Sequence, residues 1–315
     1  MSIQRKRILI GSNGGLTGVF LAKNLKALEN VEIFGSDSNE VSCGKFFVDR
    51  QFILPRSSDT YFIDKLIACI KENGIDYYLP THSKEIRRIA ECETEIRSRC
   101  DVRFIVSPVE SYRALEDKDT SNISLRMAGV PVPELISDYN HSYPIFMKQK
   151  NGSGSHGACV IPNMAIHKAY VENGDSAFFE YIEGDEYTCD CLFDFNGNLI
   201  GSYERKRVKT LGGAVSITEG TGTCYGLDYI KIIAKHWRLC GCVNFQYIVK
   251  DGVPYFTDIN LRYPSGGLPL TVAAGLDIPK LIIKILDGEK ICSFGGALQK
   301  KRMYRYFEEI YEDIT

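Results

Sequence analysis

The chain has 315 residues, of which 44% are hydrophobic, 25% charged and 11% aromatic, a globular composition that excludes a disordered or collagen-like chain. At about 150 residues per domain, this length predicts two domains or one domain with a large elaboration. Lys and Arg number 38 against 40 Asp and Glu, so the net charge of -2 gives no basic field for nucleic acid or an anionic membrane. We therefore expect small-molecule partners.

The apolar runs are too short for a membrane span of 18 or more residues. The basic N-terminus precedes only Ile8 to Ile10 before a glycine, which is too short for the core of a signal peptide. The 11 cysteines are scattered along a long chain, which predicts reduced thiols. These features together predict a cytoplasmic protein with neither membrane nor nucleic acid as a partner.

Residues 7 to 106 alternate short apolar runs with amphipathic stretches. Strands are predicted at residues 7–10, 31–34, 76–79 and 103–106, and helices at 17–28, 61–71 and 84–97. This alternation predicts a doubly wound parallel sheet, whose ligands bind at the carboxyl ends of the strands. The polar residues expected to face a cleft there are Asn13, Asp37, Thr81, His82 and Glu85.

The glycine-rich turn after the first strand resembles a dinucleotide-binding turn. Asp37 follows the second strand, where such a site has its acidic residue. However, Asn13 stands where the Gly-x-Gly-x-x-Gly pattern has its second glycine. A tight turn with close helix packing explains the glycines equally well. A nicotinamide-dependent dehydrogenase is therefore the third and weakest hypothesis.

From about residue 109 the pattern becomes antiparallel α+β. Helices are predicted at residues 115–128 and 165–171, strands at 144–148 and 178–182, and hairpin turns at 196–197 and 251–252. Between two of these strands, the backbone N–H groups of a glycine-rich loop can bind phosphate oxygens, with a lysine at its base. A flexible hairpin is the alternative. The candidate phosphate-binding residues are Lys148, Gly152, Ser153, Gly154, Ser155 and Gly157.

The hairpin at residues 243–260 carries oxygen-bearing side chains. A two-residue turn would put Gln246 and Asp258 on opposite faces, whereas a three-residue loop at 250–252 would pair residue 246 with 256 and 244 with 258. The second register segregates polar from apolar residues and is therefore favoured. The polar face then holds Asn244, Gln246, Asp258 and Asn260. Such donors suit Mg²⁺ held partly by nucleotide phosphates, and a solvated polar face is the alternative.

Basic residues lie near this hairpin in two places. Arg262 follows Asn260 by two residues, so on a continuing strand it projects beside the predicted metal site and can hold a carboxylate or developing acyl phosphate. The basic run at 205–209 precedes a second glycine loop and would form a phosphate clamp near a nucleotide.

In this order the elements resemble the ATP-grasp superfamily, most closely single-module ligases similar to one half of the carbamoyl-phosphate synthase large subunit and to the pyrrolysine-biosynthesis ligase. The resemblance implies an α/β pre-ATP-grasp domain (1–108), a small ATP-grasp subdomain with the phosphate loop (109–182) and a large subdomain with the Mg²⁺ site (183–315). It also implies ATP with Mg²⁺, or alternatively Mn²⁺, and small-molecule carboxylate and amine substrates. A homodimer is compatible with it.

The same resemblance assigns the nucleotide-binding residues. Lys118 and Lys148 would be the two basic residues that bind the nucleotide. The stretch from Glu180 to Glu186 looks like the hinge between the subdomains. There the backbone of Tyr181 and Ile182 would bind the adenine edge, and the Glu186 carboxylate would bind the ribose hydroxyls.

The resemblance also assigns the reacting centre. Gln246, Asp258 and Asn260 match the Mg²⁺ ligand positions, with Gln246 also at the nucleotide. Arg262 matches the arginine that steadies the acyl phosphate, and Lys148 would neutralise charge on the transferred phosphoryl group. Arg205 and Arg207 resemble a basic pair beside the second glycine loop, with Arg207 in the catalytic set.

The implied function is an ATP- and Mg²⁺-dependent carboxylate–amine ligase that forms an acyl phosphate and releases ADP and phosphate. One departure from the family pattern motivates an alternative. Asp258 stands where the family normally has glutamate, and its side chain is one methylene shorter. The second hypothesis is therefore a weakened or non-catalytic ATP-binding protein of the same fold.

Overall fold

The computed structural model describes residues 5–150, 157–172, 174–211 and 214–314. The strands are β1 Lys6–Gly11, β2 Val31–Asp37, β3 Arg50–Ile53, β4 Tyr77–Leu79, β5 Ile145–Gln149, β6 Cys159–Ile161, β7 Ser176–Glu180, β8 Asp185–Phe193, β9 Leu199–Leu211, β10 Ala214–Gly220, β11 Gly241–Lys250, β12 Val253–Asn260 and β13 Arg302–Tyr304. The helices are α1 Leu16–Lys26, α2 Phe62–Asn73, α3 Ser83–Glu91, α4 Glu93–Arg99, α5 Val109–Leu115, α6 Lys118–Met127, α7 Met164–Glu172, α8 Leu227–Trp237, α9 Leu268–Ala273 and α10 Ile278–Leu286, with a 3-10 turn at Cys43–Phe47. Within these ranges, none of the helices has the length and apolar character to cross a membrane.

The N-terminal region folds around a parallel sheet. Its strand order is β3-β2-β1-β4, and every pair is parallel. Alternate residues of β1 enter different cores: Leu9 belongs to the core that contains α2, and Ile8 and Ile10 to the core that contains α1. The helices therefore cover both faces of the sheet. The strand predicted at 103–106 is reduced to an isolated parallel bridge between Arg103 and Tyr77.

The rest of the chain forms two antiparallel sheets. Six strands follow the order β12-β11-β8-β9-β10-β13, and three follow the order β6-β5-β7. The large sheet shares its cores with the parallel sheet, whereas the small sheet has its own core around Ile145, Met147 and Phe178. The α+β pattern is thus present, and the small sheet packs as a separate layer. The domain boundaries expected from the sequence stay predictions.

Two predicted helices are each divided in two. The stretch predicted at 84–97 forms α3 and α4, because Cys92 between them departs from helical geometry with ψ of 16°. The stretch predicted at 115–128 begins anew at Lys118. The Asp117 carboxylate accepts a hydrogen bond from the backbone N–H of Thr120 at 2.8 Å, which caps α6.

The hairpin of β11 and β12 combines parts of both predicted registers. Its turn is a two-residue turn, because Asp251 and Gly252 both have positive φ, 51° and 80°, and Lys250 pairs with Val253. The three-residue loop is therefore wrong. A bulge at Thr257 then shifts the register, so that Gln246 pairs with Asp258 and Asn244 with Asn260. The four polar residues share a face as predicted, but through the bulge.

Candidate active site

A cavity of about 360 Å³ lies between the small and the large antiparallel sheet. The predicted site residues that line it are Lys118, Lys148, Glu180, Tyr181, Ile182, Glu186, Arg207, Gln246 and Asp258. Its apolar wall was missed by sequence reasoning and consists of Leu125, Pro133, Phe146, Phe179, Ile248, Phe256 and Ile259. One end of the cavity is thus apolar and the other ionic.

Lys148 is a partly buried cation of this cavity. Its Nζ donates a hydrogen bond to the carbonyl oxygen of Thr257 at 2.7 Å, which is the residue that the bulge leaves out of strand pairing. The rings of Phe146 and Phe179 lie 6.0 and 5.8 Å from the ammonium. Burial lowers the pKa of Lys148 to about 8. The ammonium is therefore poorly hydrated and is available to an anionic ligand.

Asp258 is the carboxylate at the ionic end. It forms an ion pair with Lys118, and the side-chain amide of Asn260 donates a hydrogen bond to it at 3.1 Å. Burial by itself raises the pKa of Asp258, but the charges of Lys118 and Lys148 outweigh burial and hold it at about 2. One ionised carboxylate thus faces two lysines, so these three side chains together carry one excess positive charge.

The predicted metal ligands lie together at this end. Gln246 and Asp258 are direct cross-strand partners, and Asn260 contacts Asp258. These side chains offer the hard oxygen donors that Mg²⁺ takes, so the residues fit the ion. Among the described residues there is no metal-ligating group of three His, Cys, Asp or Glu side chains. An ion held here would therefore need phosphate oxygens and water as further ligands.

Asn244 shares this face but belongs to a different cluster. Its side-chain amide donates a hydrogen bond to Asp190 at 2.7 Å, and Asp190 also accepts a hydrogen bond from Thr271 at 2.5 Å. Asn244 therefore lies on the same strand face as the predicted metal ligands, but its hydrogen bond goes to Asp190 and not to them.

A second cavity, of about 710 Å³, adjoins the first and shares Lys118, Arg207, Gln246 and Asp258 with it. Asn260 and Arg262 line this second cavity. Within the described part of the chain Arg262 donates to two neutral acceptors, the carbonyl of Tyr263 at 2.9 Å and the Asn260 side chain at 3.3 Å. Burial lowers the pKa of Arg262, although the negative charge of Asp258 opposes the shift. The guanidinium of Arg262 therefore donates both of these hydrogen bonds to uncharged groups, and neither bond balances its positive charge.

A third cavity, of about 660 Å³, lies at the carboxyl ends of β1, β2 and β4 and joins the second at Arg262. Four of the five cleft residues predicted from the sequence line it: Asp37, Thr81, His82 and Glu85. Asn13 does not, because it is buried and exchanges two hydrogen bonds with Gln51, at 2.8 and 2.9 Å. Burial raises the pKa of Glu85 to about 7.

The basic run on β9 divides between two faces. Arg207 forms an ion pair with Glu186 at 3.0 Å in the first cavity. Lys206 pairs instead with Asp185 at 2.6 Å and lines neither the first nor the second cavity, so its place in a phosphate clamp stays a prediction. Arg205 is buried in an ion pair with Asp190 at 3.2 Å.

The glycine loops are mostly beyond what the structure describes. Gly152, Ser153, Gly154 and Ser155, together with the second loop at 212–213, lie outside the described residues. Gly157 is described and has a φ of 72° in the turn before β6.

Comparison with known proteins matches this architecture. Residues 175–306 match a family described as ATP-grasp in the biosynthetic pathway with Ter operon. A carbamoyl-phosphate synthase of Methanobrevibacter smithii is 27% identical over 266 residues, 77% of this chain and 71% of that protein. The D-alanine–D-alanine ligase A of Bacillus cereus is 24% identical over 209 residues, 54% of this chain and 66% of that protein. The chain spans about a quarter of some carbamoyl phosphate synthase large chains, 23% in one case.

Solved structures share the fold. The biotin carboxylase domain of Hydrogenobacter thermophilus 2-oxoglutarate carboxylase, solved as a dimer with MgADP, ADP and bicarbonate, superposes with a TM-score of 0.74 at 18% identity. The match covers 94% of this chain and 72% of that one. The chain is therefore similar to ATP-grasp proteins in both sequence and fold. More particularly, it is similar to the carbamoyl-phosphate synthase large chain, which confirms the resemblance found in the sequence.

Proposed function

We propose that this protein is an ATP- and Mg²⁺-dependent carboxylate–amine ligase that forms an acyl phosphate and releases ADP and phosphate. The observation that carries this proposal is the line of joined cavities. An apolar pocket ends at two lysines and one carboxylate, and the adjoining cavity holds Arg262 with neutral acceptors. This order supports a base pocket, a phosphate site and an anion-binding residue along one path.

The apolar end of the first cavity suits the adenine ring. We propose that the backbone of Tyr181 and Ile182 binds the adenine edge and that Glu180 and Glu186 lie beside the ribose. Phe179 and Phe256 in the same cavity supply flat apolar contact. Arg207 holds the Glu186 carboxylate at 3.0 Å and so fixes its orientation.

The ionic end suits the triphosphate. Lys148 and Lys118 would bind phosphate oxygens, joined by the N–H groups of the loop that contains Gly152 to Gly157. Phosphoryl transfer is catalysed mainly by positioning and by neutralising the charge on the transferred group. A poorly hydrated lysine serves this purpose well, because its attraction to an anion is less weakened by water.

Gln246, Asp258 and Asn260 would hold Mg²⁺ against the phosphates. When bound, the ion neutralises phosphate charge and orients the γ-phosphate. For that ligation Asp258 must exchange its contact with Lys118 for the ion. This exchange would leave Lys118 free to bind a phosphate oxygen.

Arg262 would hold the substrate carboxylate in line with the γ-phosphate and then the acyl phosphate. The substrate's carboxylate oxygen attacks the γ-phosphorus and ADP leaves; an amine then attacks the acyl carbon and phosphate leaves. The amine must reach this point as a free base. A closed cavity limits hydrolysis of the acyl phosphate.

Product analysis tests the proposal directly. The chain with ATP, Mg²⁺ and a panel of amino and sugar acids should release ADP and phosphate, and hydroxylamine should trap a hydroxamate. Arg262→Lys provides the matched comparison, because it keeps the charge but loses the planar fork and should lower kcat. Substrate-dependent release of AMP and pyrophosphate would contradict the proposal.

A weakened or non-catalytic ATP-binding protein is the second candidate. It is favoured by the single carboxylate at the metal site and by the pairing of that carboxylate with Lys118. If this candidate is right, Asp258→Glu should raise turnover sharply. The longer side chain would reach the metal, and Lys118 would no longer occupy the carboxylate. Full turnover by the wild-type chain would reject it. The boundaries at 108 and 182 and a homodimer stay proposals, to be tested by limited proteolysis and by light scattering.

A further inference from the structure

Two neighbouring arginines each have a buried nitrogen without a hydrogen-bond partner. The Nη1 atoms of Arg205 and Arg305 are both shielded from solvent, and neither has a partner within the part of the chain that the structure describes. Buried polar side-chain atoms in native proteins are overwhelmingly hydrogen-bonded, so each exception requires an explanation such as a bound ion. Two exceptions on adjacent cations point to one cause.

Arg205 is held rigidly by its remaining contacts. Its Nε and Nη2 donate hydrogen bonds to the two carboxylate oxygens of Asp190, both at 3.2 Å, and the residue is 2% exposed. A Cβ on Gly267 would lie 1.8 Å from Nε, so the backbone of Gly267 lies against the guanidinium. Nη1 therefore has a fixed position, and Arg205 lines the second cavity together with Val215 and Gly266.

Arg305 lies behind the lining of this cavity, where it contacts the lining residues Ser265 and Gly266. It follows β13, and its backbone N–H donates a hydrogen bond to the carbonyl of Ser216 at 2.9 Å. Its Nη2 donates to the carbonyls of Gly266 at 3.1 Å and Ser265 at 3.4 Å. Both of these acceptors are uncharged backbone carbonyls. Burial and the positive charge of Arg205 both lower the pKa of Arg305, which agrees with two cations close together.

We propose that Arg205 and Arg305 form an oxyanion site that holds a second anionic group of the acid substrate, a carboxylate or a phosphate. An oxyanion there would accept hydrogen bonds from both Nη1 atoms and would offset the repulsion between the guanidiniums. Asp190 balances one of the two charges, so the pair carries one excess positive charge.

This inference rests on the proposed function, since Arg262 lines the same cavity and would hold the reacting carboxylate. One substrate with two anionic groups can then bind Arg262 at one end and the Arg205–Arg305 site at the other. The substrate class is accordingly a dicarboxylic or phosphorylated acid rather than a monocarboxylic acid.

Anion binding by the full chain tests the site without catalysis. We would measure thermal stabilisation by succinate, butyrate and inorganic phosphate at matched ionic strength, for wild type, Arg305→Gln and Arg302→Gln. Arg302 is the control, because it lies on β13 three residues before Arg305 and pairs with Glu219 at the surface. Succinate should bind wild type more tightly than butyrate, and Arg305→Gln should weaken succinate binding about 10- to 100-fold, the loss of a charged hydrogen bond. The Arg302→Gln variant should match wild type.

The same measurement distinguishes a site for free inorganic phosphate from a site for the acid substrate. Inorganic phosphate also fits the nucleotide cavity, so only the difference between wild type and Arg305→Gln reports on this site. Phosphate binding that depends on Arg305 while succinate has no effect would assign the site to a free ion and overturn the substrate class. Equal responses of wild type and Arg305→Gln to every anion would overturn the site itself.

A kinetic comparison completes the test. In the ADP-release assay, Arg305→Gln should lower kcat/KM for dianionic acids about 10- to 100-fold and leave that for monocarboxylic acids unchanged. A chain that releases no ADP with any acid would contradict the ligase proposal, yet the binding result would stand by itself. Conversely, unchanged selectivity in an active Arg305→Gln enzyme would overturn the oxyanion site and leave the ligase function intact.

Discussion

Two ionic clusters, one fully and one mostly buried, are built around carboxylates of the large sheet, Asp190 on β8 and Asp258 on β12, and differ in charge balance. The core cluster consists of Asp190, Arg205, Asn244 and Thr271, and the nucleotide-side cluster consists of Lys118, Lys148 and Asp258. In the core cluster one carboxylate accepts four hydrogen bonds, two of them from one arginine. In the nucleotide-side cluster one carboxylate faces two lysines, and among the described residues the hydrogen bond of Lys148 goes to a backbone carbonyl.

The difference indicates what each cluster is for. A buried carboxylate whose acceptor sites are filled has little left for a ligand, and removing its partners leaves an uncompensated charge. A cluster with excess positive charge in a cavity attracts an anion, because the anion neutralises that charge. We infer that the hydrogen bonds of Asp190 in the core cluster maintain the sheet, which leaves the Nη1 atom of Arg205 to the proposed oxyanion site, and that the nucleotide-side cluster binds phosphate.

The largest expected effect is on stability, from Asp190→Asn. The variant leaves Arg205 buried without its carboxylate, so the free energy of unfolding should fall by about 3 to 5 kcal/mol. Urea denaturation followed by circular dichroism measures the loss. A decrease below about 1 kcal/mol would show that water or another group replaces the carboxylate, and the contrast between the clusters would then fail.

The second prediction concerns Lys148, where a substitution should weaken ligand binding and leave stability intact. Lys148→Met should weaken ATP binding about 10- to 100-fold, which corresponds to about 1.4 to 2.7 kcal/mol. Stability should stay the same or rise, because the variant removes a desolvated charge and keeps the apolar stem. Calorimetry measures the affinity and urea denaturation the stability.

Lys150→Met is the matched control for Lys148→Met. Lys150 lies two residues further along the chain and pairs with Asp119 at 3.3 Å near the surface. ATP affinity should be unchanged in this variant. A loss of stability in Lys148→Met as large as that in Asp190→Asn would assign Lys148 a structural role.

The third prediction concerns pH. With its pKa at about 8, Lys148 is charged at pH 6.5 and loses its proton as the pH rises through 8. Phosphate binding favours the charged form, so ATP binding should take up a proton, and affinity should fall by up to about tenfold per pH unit above 8. Calorimetry at pH 8 in two buffers of different ionisation enthalpy measures the uptake. The slope should vanish in Lys148→Met, and an equal slope in both proteins would assign it to another group.

Sequence patterns were sufficient for the parts governed by local periodicity. Alternating strands and helices gave the doubly wound sheet, and the polar and apolar residues of the hairpin segregated as expected. They were not sufficient for the bulge at Thr257, because an extra residue in one strand leaves the alternation on either side of it intact. The bulge nevertheless decides the site, since it frees the carbonyl that Lys148 contacts.

Contacts between distant segments were beyond the reach of the sequence. Arg305 meets Gly266 from 39 residues away, and no local pattern brings them together. The pairing of Arg205 with Asp190 was also missed, although a charged residue between two cysteines of a strand buried on both faces is a signal of a buried ion pair. The basic run therefore looked like one clamp, although it combines two largely buried arginines with two lysines, of which Lys206 pairs with Asp185 near the surface.

That surface lysine gives the smallest expected effect and the sharpest check on the reasoning. Lys206 and Asp185 approach to 2.6 Å, closer than the 3.2 Å between Arg205 and Asp190, but the Asp185 side chain is 56% exposed and that of Asp190 is 0% exposed. Water and salt screen the exposed pair, so Asp185→Asn should change the free energy of unfolding by less than about 1 kcal/mol, and the change should shrink in 0.5 M NaCl, where the Debye length is only about 4 to 5 Å. Urea denaturation at both salt concentrations measures it beside Asp190→Asn. If the shorter pair proved the stronger, distance rather than burial would rank these contacts, and the separate roles inferred for the two buried clusters would lose their physical basis.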